Sequence, residues 1–167
     1  GVPALKAAVV EKFRRDNALV FKAENVSVGA GGKQVLFNAV MSTVEPGDEV
    51  VIPAPFWLAY RDMVQFAGGT PVYITTTAAT GFKAPAAQIE AAITPKTKWL
   101  MLNTPGNPAG GTYSAEELRA IAAVLDRHPH VWLISDDIYE HVLFDGRKFT
   151  TMLNVAPQLR ERCLIVN

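Results

Sequence analysis

Thr97-Lys98-Trp99-Leu100-Met101-Leu102-Asn103, followed by Thr104-Pro105-Gly106-Asn107-Pro108, is the stretch that decides the fold. Its first half is a short apolar run that reads as a strand, and its second half is a turn punctuated by glycine and proline. A helix begins soon after, at Ser114-Ala115-Glu116-Glu117. There the serine and the glutamate three positions on can satisfy each other's backbone donors, which is a capping box. Leu118, Ile121, Ala122 and Leu125 carry the helix on one face to about His128, and Val131 to Ser135 is the next apolar strand. Strand, helix, strand is a crossover, and crossovers join parallel neighbours.

The alternation repeats on both sides of this unit. Pro3 suits a first helical turn, and Leu5, Val9, Val10 and Phe13 recur behind it at helical spacing, so residues 3 to about 16 read as a helix. Lys33 to Val44 is a second helix, with Leu36, Phe37, Val40 and Met41 on one side and Pro46-Gly47 as its stop. Glu49 to Pro53 and Pro71 to Thr75 read as strands, and Leu58 to Ala67 and Pro85 to Ile93 as helices. Val26-Ser27-Val28 near the start and Leu164-Ile165-Val166 at the end are further apolar stretches with strand character. The predicted fold is therefore a three-layer α/β/α domain with a mostly parallel sheet. In such sheets ligands bind beyond the carboxyl ends of the strands. Four of the apolar stretches run directly into clusters of glycine, aromatic or polar residues: Gly29 to Lys33, Pro53 to Trp57, Asn103 to Pro108, and Ser135 to Tyr139. The stretch ending at Val166 runs only into Asn167.

Bulk composition removes several classes of function. A chain of 167 residues can bury about 70% of its unfolded surface, enough for one cored domain. Its apolar fraction of 49% and charged fraction of 19% exclude disordered and fibrous classes. Lys plus Arg and Asp plus Glu are 16 each, so no global field draws in nucleic acid or an anionic membrane. No apolar run approaches the roughly 20 residues of a membrane span. The N-terminal Gly1-Val2-Pro3 lacks an initiator Met and a signal layout, so residue 1 is not expected to be a natural start. The single Cys163 cannot form an intramolecular disulfide, which suits a reducing, cytoplasmic setting, and it reads as an inert packed thiol.

Each cluster has a ligand-binding and a bland reading. Gly29 to Gln34 can face backbone N–H groups toward an anion such as phosphate, or can serve only as a tight connection. It is not a Walker A loop, which needs glycine where Ser27 stands and Ser or Thr where Gln34 stands; the dinucleotide pattern fails at Gln34 too. Trp57 can stack on a planar ligand or roof the core. Asn107 sits in a rigid turn before Pro108, where Asx turns are common. Asp136, Asp137 and Glu140 have the spacing of a hard-cation site but also that of a solvated strand end. Asp136 and Tyr139, three residues apart after a strand, can aim a carboxylate and a phenol at one ligand. His128, His130 and His141 show no ligand spacing, and no metal site is expected.

Taken in order, GAGGKQ at 29–34, PFW at 55–57, NPAGG at 107–111 and SDDIYEH at 135–141 resemble the class I/II aminotransferases, the fold type I enzymes that use pyridoxal 5′-phosphate. EPGDEVVIPAPFW at 45–57, FAGGTPVYI at 66–74 and AITPKTKWLMLNTPGNP at 92–108 extend the resemblance over nearly the whole chain. The resemblance implies roles residue by residue. Gly31, Gly32 and Lys33 match the segment that holds part of the cofactor phosphate, and Trp57 the aromatic that stacks on the pyridine ring. Asn107 and Tyr139 match the donors to the ring's phenolic oxygen. Asp136 matches the carboxylate on the ring nitrogen; Asp136 and Tyr139 are thus the expected catalytic residues present.

It further implies amino-group exchange between an amino acid and a 2-oxo acid, in a homodimeric biosynthetic enzyme of the cytoplasm. Residues 1–167 are expected to be part of the large domain, without the N-terminal segment, the Schiff-base lysine, the downstream arginines or the C-terminal small domain. That lysine is expected just beyond Asn167, and Lys148, in the Asp145-Gly146 turn, does not replace it. Taken alone, these residues are expected to be inactive. Ala109 departs from the threonine common in the family's motif. The same cradle would also suit a pyridoxal-phosphate lyase, a synthase resembling aminocyclopropane-carboxylate synthase, or a cofactor-sensing domain of a transcription regulator.

Overall fold

The computed structural model describes residues 1–167. Its strands are β1 (Glu49–Ala54), β2 (Thr70–Thr75), β3 (Thr97–Asn103), β4 (Trp132–Asp136) and β5 (Cys163–Val166). They form one sheet in the order β2-β1-β3-β4-β5, and every pairing is parallel. The helices are α1 (Pro3–Asn17), α2 (Gly32–Thr43), α3 (Ala59–Phe66), α4 (Ala86–Ala92), α5 (Ala115–Arg127) and the short α6 (Met152–Val155).

Alternate residues of each strand feed two separate cores. Val51, Leu100, Leu102 and Leu133 pack with Ile89 of α4, Leu118, Ile121 and Leu125 of α5, and Phe13 of α1. Val50, Ile52, Trp99, Met101 and Ile134 pack on the other face with Leu36 and Val40 of α2 and Tyr60, Met63 and Val64 of α3. The sheet is covered on both faces, which is why its strands are continuously apolar rather than alternating. Three layers, α/β/α, are the result. Because β1 lies between β2 and β3, successive crossovers leave it in opposite directions, and its carboxyl end with that of β3 frames a topological switch point.

The capping box at the start of α5 is present atom for atom. Ser114 Oγ accepts from the Glu117 N–H at 3.2 Å, and Glu117 Oε2 accepts from the Ser114 N–H at 2.7 Å. Ser114→Ala is therefore expected to lower stability by about 1 kcal/mol, read as a shift in the denaturation midpoint, with Ser114→Asp close to wild type.

Two expectations need correction. Val26-Ser27-Val28 is not a strand of the sheet: Val26 is buried with extended dihedrals, but the segment has no ladder partner. Extended dihedrals satisfy propensity, whereas a strand also needs a neighbour within hydrogen-bonding reach. On α2, Leu36 and Val40 are buried, but Phe37 and Met41 are each 38% exposed. One residue further round the helix turns a side chain by about 100°, so the inward stripe is narrower than the apolar one. Phe37 instead meets Phe66 of α3 at the surface, with ring centroids 6.1 Å apart.

Candidate functional site

The strand ends converge on one opening. A cavity of about 280 Å³ lies beyond β1, β3 and β4, and Gly31, Gly32, Lys33, Trp57, Asn107, Asp136 and Tyr139 all line it. Leu36, Tyr60, Asn103 and Ile138 complete the wall.

On one side the cavity meets the N-terminus of α2. Gly31 caps the helix at φ 85°, ψ 166°, a backbone region that side chains other than glycine's essentially do not enter. A Cβ there would meet nothing within 4 Å, so conformation rather than space requires the glycine. Gly32 and Lys33 open the helix, and first-turn N–H groups have no intrahelical acceptor; with the helix dipole they favour an anion. Gln34, which breaks both nucleotide-binding patterns, folds back so that its Oε1 accepts from the Ala30 N–H at 2.5 Å and braces the turn. Lys33 Nζ sits 5.1 Å from the centre of the Trp57 ring. It forms no ion pair with a carboxylate and so leaves a free cation at the cavity.

Asp136 closes the opposite side. The last residue of β4, it is only 4% exposed. The Tyr60 hydroxyl donates to its Oδ2 at 2.5 Å, and the Ile138 N–H to its Oδ1 at 3.3 Å. Burial pushes the Asp136 carboxyl above the usual carboxylate range, and the bonds from Tyr60 and Ile138 pull back against that rise. Tyr60 is itself held far above a free phenol by burial and by the Asp136 charge, so it is a proton donor to the carboxylate. Its ring meets that of Trp57 edge-on, with centroids 5.5 Å apart, which fixes the tryptophan over the opening. Removing the hydroxyl with Tyr60→Phe is expected to move the Asp136 pKa further up. A carbon-13 NMR titration of that carboxyl should show its midpoint at higher pH than in wild type; an unchanged or lower midpoint would contradict the assignment.

Tyr60 is a site residue that sequence reasoning misses. Its spacing of three from Trp57, on the first turn of α3, is the only local signal. Asn103 is missed as well, because it reads as the end of a strand. Its side chain donates to the Asp136 carbonyl at 2.8 Å and accepts from the Asn107 N–H at 2.7 Å. Asn107 Nδ2 in turn donates to the Tyr139 hydroxyl at 3.2 Å, so the two predicted donors are side by side.

The neighbouring carboxylates are not a solvated strand end. Asp137 is 1% exposed, its N–H donates to the Val166 carbonyl at 2.8 Å, and its Oδ1 accepts from Ser135 Oγ at 2.7 Å. Its Oδ2 and the nearby Thr151 Oγ1 are both buried, and neither has a hydrogen-bond partner. Burial drives the Asp137 carboxyl up to about 7, against the pull of Thr151 and Ser135. Glu140 faces the other way, ion-paired with Lys12 and accepting from Asn17 Nδ2 at 2.9 Å. Burial alone would raise its pKa, but Lys12, Asn17 and Asn167 outweigh it and hold it low. One ligand atom each of Asp16, Glu140 and His141 lie within 4.8 Å of one another, away from the cavity lining and with Lys12 already on Glu140. Cys163 is packed, its thiol pushed up to about 12 chiefly by burial.

A parallel three-layer domain with a helix N-terminus, an aromatic wall and a buried carboxylate at its switch point has the features that a site for a planar anionic ligand would need. Residues 1–167 match the sequence model of aminotransferase class I and II, and the chain belongs to that family. It is 53% identical over all 167 residues to an aspartate/prephenate aminotransferase of Cereibacter sphaeroides, covering 42% of that protein. It is 49% identical to an aspartate aminotransferase of Rhizobium meliloti, covering 41% of it. The crystal structure of an aspartate aminotransferase from Rhizobium meliloti superposes with a TM-score of 0.96 at 48% identity, over 98% of this chain and 41% of that one. The Thermus thermophilus aspartate aminotransferase solved with maleate gives 0.91 at 43% identity, over 99% and 42%. The chain thus spans about two fifths of the length of the relatives it matches.

Proposed function

We propose that the protein is a pyridoxal-phosphate-dependent aminotransferase and that residues 1–167 supply most of its cofactor cradle within an incomplete large domain. The observation that carries this reading is Asp136, a buried carboxylate held by Tyr60 at the floor of an aromatic-walled cavity with a free cation and a helix N-terminus opposite. The donor set fits the cofactor part by part. Gly31, Gly32 and Lys33 would hold its phosphate, Trp57 would cover the ring face, Asn107 and Tyr139 would donate to the phenolic oxygen, and Asp136 would pair with the ring nitrogen.

When bound, the cofactor supplies an electron sink for the negative charge left as the substrate's α-proton departs. The chain's own contribution is electrostatic. Asp136 would favour a proton on the ring nitrogen, since an adjacent carboxylate favours the cationic form. The Tyr60 bond favours the ionised form of Asp136 and orients it, and Trp57 would exclude water from one ring face. Asn107 and Tyr139 would hold the phenolic oxygen and so orient the ring.

The relatives' names support the substrate class. An acidic amino acid such as aspartate is the proposed amino donor, a 2-oxo acid such as 2-oxoglutarate or prephenate the acceptor; the dicarboxylate maleate in the Thermus thermophilus relative supports this choice. Transfer is favoured over elimination or sensing because those relatives are aminotransferases. Family resemblance supports a homodimeric, cytoplasmic, biosynthetic enzyme; no helix is long and apolar enough to cross a membrane. The test is a product assay of the full-length protein with cofactor, aspartate and 2-oxoglutarate. Stoichiometric glutamate and oxaloacetate are expected; ammonia release without glutamate would indicate a lyase instead.

A further inference from the structure

We propose that Asn103 is a positioning residue that sets the separation between the two sides of the site, the Asn107 amide and the Asp136 carboxylate. The inference rests on the cofactor reading above and adds to it a residue whose side chain is spent on backbone groups rather than on the ring or its phosphate.

Asn103 is the last residue of β3 and stands in register with Asp136, the last residue of β4. Beyond this pair the ladder ends and two loops diverge, each carrying a functional side chain. The Asn103 amide bridges them with two short bonds of opposite sense. Nδ2 donates to the Asp136 carbonyl at 2.8 Å, and Oδ1 accepts from the Asn107 N–H at 2.7 Å. Both partners are backbone groups of fixed polarity, so only one orientation of the amide satisfies both; a flip would set oxygen against oxygen and N–H against N–H. Only a side chain with a donor and an acceptor on one planar end can do this from here.

The bridge closes a circuit across the cavity. From Asn107 it continues through Nδ2 to the Tyr139 hydroxyl at 3.2 Å. The chain then returns through Ile138, whose N–H donates to Asp136 Oδ1 at 3.3 Å. The Thr104 N–H adds a second donor to the Asp136 carbonyl at 3.2 Å, so the strand end survives loss of the side chain while the Asn107 loop loses its tie. Asn107 would then drift relative to Asp136, and small misplacements of a positioned group are costly to binding and chemistry.

The test is a double-mutant cycle in the full-length protein, with pyridoxamine 5′-phosphate as the probe and calorimetry as the readout. Asn103→Ala and Asn107→Ala are each expected to weaken probe binding by roughly ten- to a hundredfold. The double variant should bind no worse than the weaker single one, because Asn103 acts through Asn107. A purely structural role would instead lower the melting temperature and leave the two losses multiplicative. Asn103→Asp keeps the acceptor for the Asn107 N–H but loses the donor, and it stands in if the alanine variant does not fold. It should lie between wild type and Asn107→Ala. Wild-type affinity in the Asn103 variant, or multiplicative losses, overturns the proposal while leaving the cofactor reading intact. Failure of the wild-type protein to bind the probe overturns both.

Discussion

Asp136→Ala in the full-length protein is expected to slow transamination by roughly a thousandfold or more, while affinity for the cofactor falls by only about tenfold. The inequality follows from where the carboxylate acts. Binding is spread over the α2 N-terminus, Lys33, Trp57, Asn107 and Tyr139, so loss of one partner leaves most of it in place. The electronic effect is not shared. No other lining residue offers a negative charge: the cavity wall is otherwise glycine, apolar, amide, phenol and lysine. Without Asp136 the ring nitrogen gives up its proton more readily, and the charge developing at the substrate has a poorer sink. Steady-state rates set beside a binding titration of the same variant check this. Near-normal turnover would remove Asp136 from its role.

The second large effect concerns stability. Asp137→Asn is expected to stabilise the protein, and to do so far more at pH 8 than at pH 4. Burial raises the Asp137 carboxyl from about 3.8 to about 7 in the folded state. A raised folded-state pKa contributes stability that is complete below the unfolded value near pH 4 and is lost as pH climbs through 7. A rise of that size, about three pH units, corresponds to roughly 4 kcal/mol lost across the window. Asparagine carries no charge at either pH and keeps an acceptor for Ser135 Oγ, so the variant should not share the loss. Glu140, whose pKa is lowered, contributes with the opposite sign, but it is common to both proteins and cancels in the difference. Denaturant midpoints of both proteins across this range read the effect; parallel profiles would show that Asp137 is not titrating in the fold.

The β3–α5–β4 unit was legible because each element has local punctuation: an apolar run, a glycine-proline turn and a capping box whose bonds the structure reproduces. The residues of the candidate site share the same local punctuation. Gly31, Gly32, Lys33, Trp57, Asn107, Asp136 and Tyr139 each follow an apolar stretch of the sequence, and one cavity gathers them. What stayed hidden depends on distance between segments rather than on local pattern. The Tyr60 bond to Asp136 spans 76 residues and exists because α3 joins the same core, on one face of the sheet, as Ile134 of β4. Asn103 looks like the polar end of any strand until its register partner is known. Asp136, Asp137 and Glu140 look alike in sequence, but each is buried beside different partners: Tyr60, Ser135 and Lys12. Val26 to Val28 has the composition of a strand, but composition does not supply a neighbour.

The most direct test of the proposed cradle is the protonation state of the ring it would hold. Full-length protein loaded with pyridoxamine 5′-phosphate carrying nitrogen-15 in the ring, titrated by NMR, should show a ring nitrogen that stays protonated well above the pH at which the free cofactor loses that proton. In Asp136→Ala the same resonance should return to the free-solution titration. A wild-type ring nitrogen that titrates as it does in solution would contradict the assignment of Asp136 and, with it, the reading of these strand ends as a cofactor cradle.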